Sequence, residues 1–390
     1  MAPSSTSTPE LNIQGLVAAN TQVDPKTFFR FTRRQRGKVA SSIASYQGLG
    51  NDDTLELKQA GILAAIDVKF TGALTVTPGT GTVATTAAWP YSLFKNIRVS
   101  ANGQSNLISA SGLMIRAREF IGQPGLTDNG VQQTVGGVVV DQGTLSYASE
   151  SWGVGQSTTA IAAGTYDVVL SLRIPIAWDL TMLYGSLFLQ TTSTSVDTVL
   201  QWANQSDLFV LTGDATVALT GGLIAEGVVF TIPSVAGQAV VPDLSAFHAF
   251  TEGSTTDIGL GSNETVLIGQ GVNKQLMRIL GRLTTGAPGV PVVMDASNYG
   301  QIGWGYGLNE DPEVWQDGDA MRIDIERRYG VDMYRYGLSV IDFAQHWAFR
   351  DSVDEGSATQ LRLLNTLVNA PSGPRYTYVQ ETMIQAAAAA

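Results

Sequence analysis

The chain has 390 residues, a formal net charge of −11 and a charged fraction of only 15%. This length allows two domains, each large enough to bury its own core. Cysteine is absent, which excludes a disulfide framework, a thiolate nucleophile and a cysteine-based metal site. The 42 glycines, together with frequent Thr, Ser and Val, favour many strands joined by short turns.

Charge is distributed unevenly along the chain. Residues 1–40 hold six Lys or Arg residues and two acids, a net charge of +4, so the remainder carries −15. In the segment FFRFTRRQRGK, aromatic residues stand among the cations, and this composition suits an anionic membrane surface or a neighbouring copy of the chain. The alternative is that the segment pairs with acidic patches on the body. The candidate contact residues are Phe28, Phe29, Arg30, Phe31, Arg33, Arg34, Arg36 and Lys38.

The N-terminal sequence MAPSSTSTPELNIQG lacks the basic start and the apolar run of a signal peptide. Its Ser, Thr and Pro content is typical of a disordered arm. No window approaches the roughly 20 apolar residues that a membrane-spanning helix needs. We therefore expect synthesis in the cytoplasm without insertion into a membrane.

A period of two in the apolar residues predicts several strands, because successive side chains of a strand point to opposite faces. The clearest case is YDVVLSLRIPIAW, residues 166–178, in which the first residue and every second one after it are apolar. A second long strand covers residues 62–70. A third covers residues 94–101 and ends at Asn102-Gly103, a dipeptide typical of tight turns.

Two segments break this period and predict helices. In residues 111–121 the apolar side chains fall at helical spacing, with Ser109 or Ser111 as the N-cap. A polar helix is expected at residues 319–329.

The second half repeats the predicted pattern of the first, strands interrupted by one helix, which suggests duplication of a sandwich. Residues 214–233 predict a strand pair or one long bent strand, with a bulge or turn at Gly221-Gly222. Later strands are expected at 338–343 and 376–383, and 274–283 forms a short helix or a strand. The predicted organisation is an N-terminal arm at 1–50, a first β unit at 51–233, a second at 234–385 and an alanine tail at 386–390.

Several local strings resemble the double jelly-roll major capsid protein of tectivirus-like bacteriophages, whose icosahedral shell encloses an internal membrane. AGILAAIDVKFTGAL, followed by a turn and WPYSLFKNIRVSANGQ, is similar to the opening strands of that family. TYDVVLSLRIPIAWDLTMLYGSLFLQTTSTSVDTVLQW resembles its long strand and the link to the next strand. In the second half, WQDGDAMRIDIERRYGVDMYRYGLSVIDF resembles the family's helix with paired arginines, here Arg327 and Arg328, before a strand.

The resemblance implies a mainly β fold of two consecutive eight-stranded antiparallel jelly-roll sandwiches with a few short helices. It implies a major capsid protein that assembles as pseudo-hexagonal homotrimers into an icosahedral virion shell around a lipid membrane. The implied partners are other copies of the chain, penton and minor capsid proteins, and the anionic internal membrane through the basic arm. No cofactor, no enzymatic activity and no specific nucleic-acid recognition are expected, and the protein would be made in the host cytoplasm.

Catalytic signals are weak, so no catalytic residue is predicted. His248 and His346 each lie among aromatic and small apolar residues, which is more typical of a packed histidine than of a general base. The G-x-S-x-G nucleophile motif is missing. The alternative function class is a β-sandwich phage spike or adhesin, or a glycan-acting protein.

Two further loops offer candidate binding sites. The acidic string NEDPEVWQDGDA offers a weak calcium candidate at Asp311, Asp317 and Asp319, but its spacing does not fit an EF-hand, and an N-cap role for Asp317 or Asp319 explains it equally well. No metal is therefore predicted. GWGYG at residues 303–307 is typical of an exposed loop. Such a loop is a candidate for contact with another protein or a host surface.

Overall fold

The computed structural model describes most of the chain. The described residues are 21–38, 48–57, 60–86, 89–101, 104–122, 131–135, 138–141, 160–189, 196–267, 271–286, 289–306, 310–330, 337–344, 352–356 and 360–385. The predicted disordered head, His346 and the alanine tail lie outside these ranges. Among the described residues, no helix is both long and apolar enough to cross a membrane.

The first part of the chain begins with a short N-terminal segment and continues as a β-rich region. Its elements are β1 (Thr21–Val23), α1 (Pro25–Phe31), β2 (Arg34–Lys38), β3 (Asp52–Glu56), β4 (Ile62–Thr77), β5 (Val83–Thr85), a 3-10 turn (Tyr91–Leu93), β6 (Phe94–Ala101), β7 (Gln104–Ala110), α2 (Gly112–Gly122), β8 (Val131–Val135), β9 (Val138–Asp141), β10 (Gly164–Pro175), β11 (Leu187–Phe188), β12 (Val196–Trp202), α3 (Gln205–Leu208), β13 (Phe209–Leu211) and β14 (Thr216–Phe230).

The second part is again mostly strands. Its elements are β15 (Ser234–Val235), β16 (Gln238–Val241), β17 (Ala246–Thr255), β18 (Gly261–Val266), β19 (Lys274–Thr284), β20 (Tyr299–Tyr306), β21 (Glu310–Trp315), α4 (Gly318–Tyr329), β22 (Leu338–Asp342), β23 (Val353–Asp354), β24 (Leu361–Leu367) and β25 (Arg375–Gln385). The segment at 274–283 is thus a strand.

The strands form two sandwich lobes. In the first lobe, strands in the order β7-β6-β12-β3 face strands in the order β4-β10-β8-β9, and β14 and β2 extend the second sheet beyond β4. In the second lobe, β22-β19-β25-β17 face β18-β24-β20-β21. Within the described residues, the sandwich of the second lobe has eight strands, and that of the first lobe has eight in the orders given together with the added β14 and β2. All neighbours within the four-strand orders are antiparallel.

The two lobes share one sheet. β7 of the first lobe pairs in parallel with β17 of the second, so four strands of each lobe join into a nine-stranded sheet that also includes β23. When the strands of each sandwich are counted in chain order, the first three and the last two occupy equivalent places in both lobes, but the three in the middle do not. Beside β6 lies β7, the fourth strand of the first lobe. The equivalent place beside β19 is held by β22, the sixth strand of the second lobe.

β10 follows the predicted alternation, whereas the first five residues of β4 are all buried and its alternation begins only at Ile66. Along β10 the side chains of Tyr166, Val168, Leu170, Leu172 and Ile174 are buried, while those between them are partly or fully exposed. β4 pairs with β10 on one side and with β14 on the other. The predicted half-buried strand is therefore confirmed as a central strand of the first lobe.

One pair of glycines in this sheet allows two neighbouring strands and an aromatic ring to lie close together. Gly72 of β4 lies opposite Gly221 of β14, and the ring of Phe70 occupies the space beside both. A Cβ on Gly221 would lie 2.5 Å from that ring. The predicted bulge or turn at Gly221-Gly222 is wrong, because β14 runs straight through these residues and its register shifts only at Val228 and Val229.

Residues 21–38 pack on the body of the chain, and β1 pairs in parallel with β16 of the second part. Asp24 caps α1 by accepting from the Thr27 N–H at 3.2 Å, and Phe28 is completely buried in the core. β2 pairs antiparallel with β14 and forms one edge of the sheet that contains β4 and β10. The part of the predicted arm that carries the basic residues is thus joined to the body by a core side chain and a strand.

The GWGYG segment is not the exposed loop that its glycines predict. Residues 299–306 form β20, and Trp304 is buried with its ring 4.8 Å from that of Phe343. A Cβ on Gly303 would lie 2.5 Å from the Glu313 carbonyl oxygen on β21. This glycine permits close strand approach rather than flexibility. Of the described residues 303–306, only Tyr306 keeps a substantial exposed fraction, 36%.

Candidate functional site at the seam between the lobes

The seam is the place where the two lobes meet, and it begins at the parallel pairing of β7 with β17. Ile108 and Ser109 lie opposite Phe250 and Thr251 there. Ser111, which directly follows β7, donates both its N–H and its hydroxyl to a carboxylate oxygen of Glu252 on β17, each at 2.7 Å. The residue before α2 is therefore held by the second lobe, and its hydroxyl also receives the Met114 N–H of α2, as predicted for an N-cap.

The centre of the seam is the carboxylate of Glu381 on β25, which is completely buried. One oxygen accepts from the Arg118 Nε of α2 at 2.5 Å and lies 2.9 Å from the His248 Nε2 of β17. The other oxygen accepts from Arg278 of β19 at 3.4 Å. Burial alone would raise the pKa of Glu381, but Arg118 and Arg278 hold the pKa of this carboxyl far below its ordinary value.

A second carboxylate extends this cluster to the far end of the second lobe. Arg278 also contacts Asp342 of β22, with its NH2 group 3.0 Å from the carboxylate. The hydroxyl of Tyr329, at the end of α4, donates to the same carboxylate oxygen. Burial raises the pKa of Tyr329, and the negative charge of Asp342 adds to the rise despite the opposing effect of Arg278. The cluster therefore links α4 to the seam.

Trp178, which follows β10 of the first lobe, and His248 of β17 close the seam. The Arg278 guanidinium lies 4.8 Å from the centroid of the Trp178 ring, and that of Arg118 lies 5.9 Å away, which are cation–π distances. Arg118 also donates to the Trp178 carbonyl oxygen at 2.7 Å. The other ring nitrogen of His248 lies 3.0 Å from the Pro175 carbonyl at the end of β10. His248 is the packed structural histidine that its sequence context predicts.

Such a cluster fixes geometry more than it adds stability. Desolvating buried charges offsets much of their attraction, whereas removing one partner leaves an uncompensated charge and is strongly destabilising. Arg118 comes from the first lobe, and Glu381, Arg278 and His248 come from the second. The contacts therefore hold the two lobes in one relative position.

A charged cleft lies on the first lobe, between β2, β4, β10, β14 and α2. Arg173 of β10 binds Asp67 of β4 through two hydrogen bonds, at 2.6 and 2.8 Å, and Arg36 of β2 approaches the same carboxylate at 3.4 Å. Glu119 of α2 accepts from the Arg173 N–H at 2.8 Å and pairs with Arg116. Burial raises the pKa of Glu119 to about 7 despite the opposing effect of Arg116. The cleft measures ≈ 490 Å³.

The predicted contact residues of the N-terminal segment divide into two groups. Phe28 is in the core, and Phe29 packs edge-on against it with ring centroids 5.2 Å apart. Phe31 is 46% exposed, and the Arg30 guanidinium lies 5.3 Å from its ring. The side chains of Arg33, Arg34 and Arg36 are also exposed, and the side chain of Lys38 is not among those that the structure describes.

The three acids of the calcium candidate have separate contacts. Asp311 pairs with Arg362 at 3.1 Å, and Asp319 accepts from the Ala296 N–H at 3.3 Å. Asp317 is the N-cap of α4 and accepts from the Ala320 N–H at 2.8 Å, as one of the two sequence alternatives predicted. The described residues contain no group of three or more potential ligands placed to hold a metal ion.

Sequence reasoning missed the seam itself. Arg118 and Glu381 are 263 positions apart, and His248 and Arg278 lie in two other strands. One signal was present, because Glu381 is a lone acid within a closing strand that is otherwise apolar or uncharged at its centre. Such a charge in a buried strand requires a partner, although the sequence does not reveal which one.

No protein-family model matches the sequence, and no curated protein matches it at a significant level. Solved structures do match over nearly the full chain. The crystal structure of the major capsid protein of STIV, the Sulfolobus turreted icosahedral virus, has a TM-score of 0.63 at 13% identity and covers 90% of this chain and 97% of that chain. The atomic structure of that virus gives 0.62 at 14% identity, covering 90% and 91%.

The Faustovirus major capsid protein is also similar, with a TM-score of 0.55 at 9% identity over 91% of this chain and 90% of that chain. At such identities the likeness concerns the fold. The chain has the double jelly-roll fold, so the predicted fold class is confirmed.

Proposed function

We propose that this chain is a viral major capsid protein that assembles as a pseudo-hexagonal homotrimer, and that the trimers tile an icosahedral shell around an internal membrane. The observation that carries the proposal is the presence, in one chain, of two β-sandwich lobes in the fold of the STIV and Faustovirus capsid proteins. Other copies, penton proteins and minor capsid proteins are the expected partners in the virion. The role is structural rather than catalytic.

The seam supports this proposal physically. A trimer of two-lobed chains approximates a hexagon only if the two lobes of each chain keep a fixed relative position. The joined sheet and the buried Glu381 contacts provide that constraint. Association between chains would then bury surface between preformed, rigid units.

The N-terminal segment is proposed to face the membrane side of the shell. Its exposed side chains include Arg30, Arg33, Arg34 and the partly exposed Phe31, a combination of cations and an apolar anchor that suits an anionic lipid surface. The rest of the chain carries the negative charge. This asymmetry orients the subunit, with the basic segment inward and acidic surface outward.

Light scattering coupled to size-exclusion chromatography tests the trimer, and electron microscopy of the concentrated protein or the native particle tests the shell. We expect a stable species of three chains and faceted closed particles. A stable monomer that binds or cleaves polysaccharide would overturn the proposal in favour of the spike or glycan-acting alternative. Polysaccharide binding should be measured on the same preparation, so that both function classes are tested together.

A further inference from the structure

The charged cleft between β2, β4, β10, β14 and α2 carries an excess of cations, although the whole chain has a net charge of −11. Four cations and three acids line it, a local net charge of +1. The cations are Arg36, Lys69, Arg116 and Arg173, and the acids are Asp67, Glu119 and Glu226. A positive cleft on an acidic chain favours an anionic ligand.

Two of the four cations are engaged within the protein, and Arg36 is much less so. Arg116 is 3% exposed and pairs with Glu119. Arg173 holds Asp67 by two hydrogen bonds. The side chain of Arg36 is 54% exposed and approaches the same, already occupied carboxylate of Asp67 at 3.4 Å. The Arg36 guanidinium therefore remains available to a ligand.

Lys69 is the second available cation. Across the paired strands it lies between Ile224 of β14 and Ser171 of β10, and both of these side chains are uncharged and exposed. Among the described residues, Lys69 has no hydrogen bond or ion pair. The one acid of β4, Asp67, is held by Arg173. This row therefore presents an ammonium, a hydroxyl and an apolar side chain next to one another.

We propose that the cleft binds the phosphate group of an organic phosphate ester, with Arg36 and Lys69 as its cationic ligands. A guanidinium and an ammonium on separate strands, with the Ser171 hydroxyl on a third, suit a group with several acceptor oxygens. The cleft measures ≈ 490 Å³, more than one phosphate group fills, and Ile224, 43% exposed, provides an apolar contact for the rest of the ligand. Such binding does not require the capsid role proposed above.

Glu119 makes this binding depend on pH. Its side chain is 16% exposed in the wall of the cleft, and burial raises its pKa to about 7. Above that pH the carboxyl gains its negative charge and repels an anion, so the affinity should fall as pH rises through about 7. The charged groups that share the cleft with it are Arg116 on its own helix, Arg173 of β10, Asp67 and Lys69 of β4, Arg36 of β2 and Glu226 of β14.

Isothermal titration calorimetry of the full-length protein with glycerol 3-phosphate tests the site, at about pH 6, below the pKa of Glu119. We expect saturable binding that is tighter than that of inorganic phosphate, because only the ester can also contact Ile224. Arg36→Gln and Lys69→Gln should each weaken binding about tenfold, since each removes one charge-assisted contact. Both side chains are exposed, so the variants should keep the urea midpoint of the unmodified protein.

Lys95→Gln is the matched control. Lys95 is also exposed, but it lies outside the cleft and pairs with Asp207 at 3.3 Å, so the variant should bind the ester like the unmodified protein. No saturable binding, or equal weakening in Lys69→Gln and Lys95→Gln, would overturn this proposal and leave the capsid proposal standing. Inorganic phosphate that binds as tightly as the ester would also overturn it, because the cleft would then hold an adventitious ion only.

Sulfate has the same charge throughout the neutral pH range, so a pH series with sulfate isolates the effect of Glu119. The affinity should fall between about pH 6 and pH 8 in the unmodified protein and stay nearly constant in Glu119→Gln, whose amide resembles the protonated acid. An equal decline in both proteins would place the anion elsewhere and overturn the proposal.

Glycerophosphoglycerol, the soluble headgroup of an anionic lipid, distinguishes the two sources of the phosphate ester. If it binds more tightly than glycerol 3-phosphate and loses affinity in Lys69→Gln, the ligand is a lipid headgroup. If it binds more weakly than glycerol 3-phosphate, the ligand is a soluble monoester. Binding of glycerophosphoglycerol that Lys69→Gln leaves unchanged would overturn the assignment of the cleft.

Discussion

The seam and the N-terminal segment both concentrate arginine, but they place it in opposite environments. Arg118 and Arg278 are mostly buried, and both contact the fully buried Glu381. Arg33 and Arg34 are exposed on the segment, and Arg36 makes only a partly exposed contact with Asp67. Charges of the same type therefore hold the lobes together in one region and remain available to a partner in the other.

Burial decides the energetic consequence of each arrangement. A surface ion pair contributes roughly 0–1 kcal/mol, because water and salt screen it. A buried pair cannot lose one member without leaving a desolvated charge, at a cost of about 3–5 kcal/mol. The comparison predicts that substitutions in the seam act on stability and that substitutions of the exposed arginines act on binding.

The largest effect is expected for Glu381→Gln. The variant keeps the shape of the side chain but leaves Arg118 and Arg278 without their shared carboxylate, so we expect a loss of about 3–5 kcal/mol in the free energy of unfolding. Urea unfolding followed by tryptophan fluorescence measures it. Glu264→Gln is the matched control, because Glu264 pairs with Arg362 while it is 57% exposed, and its loss should be below about 1 kcal/mol. Equal effects of the two variants would show that the seam is energetically an ordinary surface contact.

Phe28→Ala tests whether the N-terminal segment is part of the folded first lobe. The Phe28 side chain is completely buried, so the variant should lose about 3–4 kcal/mol of unfolding free energy through lost burial and the cavity left behind. Phe31→Ala, on the same helix, removes a ring that is 46% exposed and should change stability far less. If Phe28→Ala is as stable as the unmodified protein, the segment is a detachable arm after all.

The contrast between these regions also explains what the sequence could predict. β10 and β4 were predicted because an alternating apolar pattern is local and describes a half-buried strand directly. The seam could not be predicted, because its members are brought together only by the pairing of β7 with β17. The prediction of an exposed loop at Gly303 was wrong for a related reason, because the role of this glycine depends on the close approach of the neighbouring β21.

Glu119 is partly buried, so its contribution to the free energy of unfolding is intermediate in size and depends on pH. Its pKa rises from 4.5 to about 7, so the folded state binds this proton more tightly than the unfolded state. The contribution of Glu119 is therefore most favourable below the unfolded pKa and declines as pH rises through about 7, by up to about 3 kcal/mol. Glu355, whose pKa burial also raises to about 7, acts in the same direction.

Glu119→Gln should make the stability profile flatter between these two pKa values, because the amide resembles the protonated acid and can still accept from the Arg173 N–H. Urea unfolding at a series of pH values measures the slope. Glu326→Gln, on the exposed face of α4, is the control and should keep the profile of the unmodified protein. An unchanged slope in Glu119→Gln would mean that water reaches this carboxyl freely.

The smallest effect on stability, and the largest on binding, is expected for the exposed arginines. Combined Arg30→Glu, Arg33→Glu and Arg34→Glu should leave the unfolding midpoint nearly unchanged, because all three side chains are exposed. Co-flotation with vesicles that contain anionic lipid should fall strongly, since each cation near such a surface contributes about 1 kcal/mol. The matched Arg→Lys triple variant keeps the charge and should float with the vesicles. If both triple variants float equally well, the segment does not bind membrane through its charge, and pairing with a neighbouring copy becomes the better account of its basic side chains.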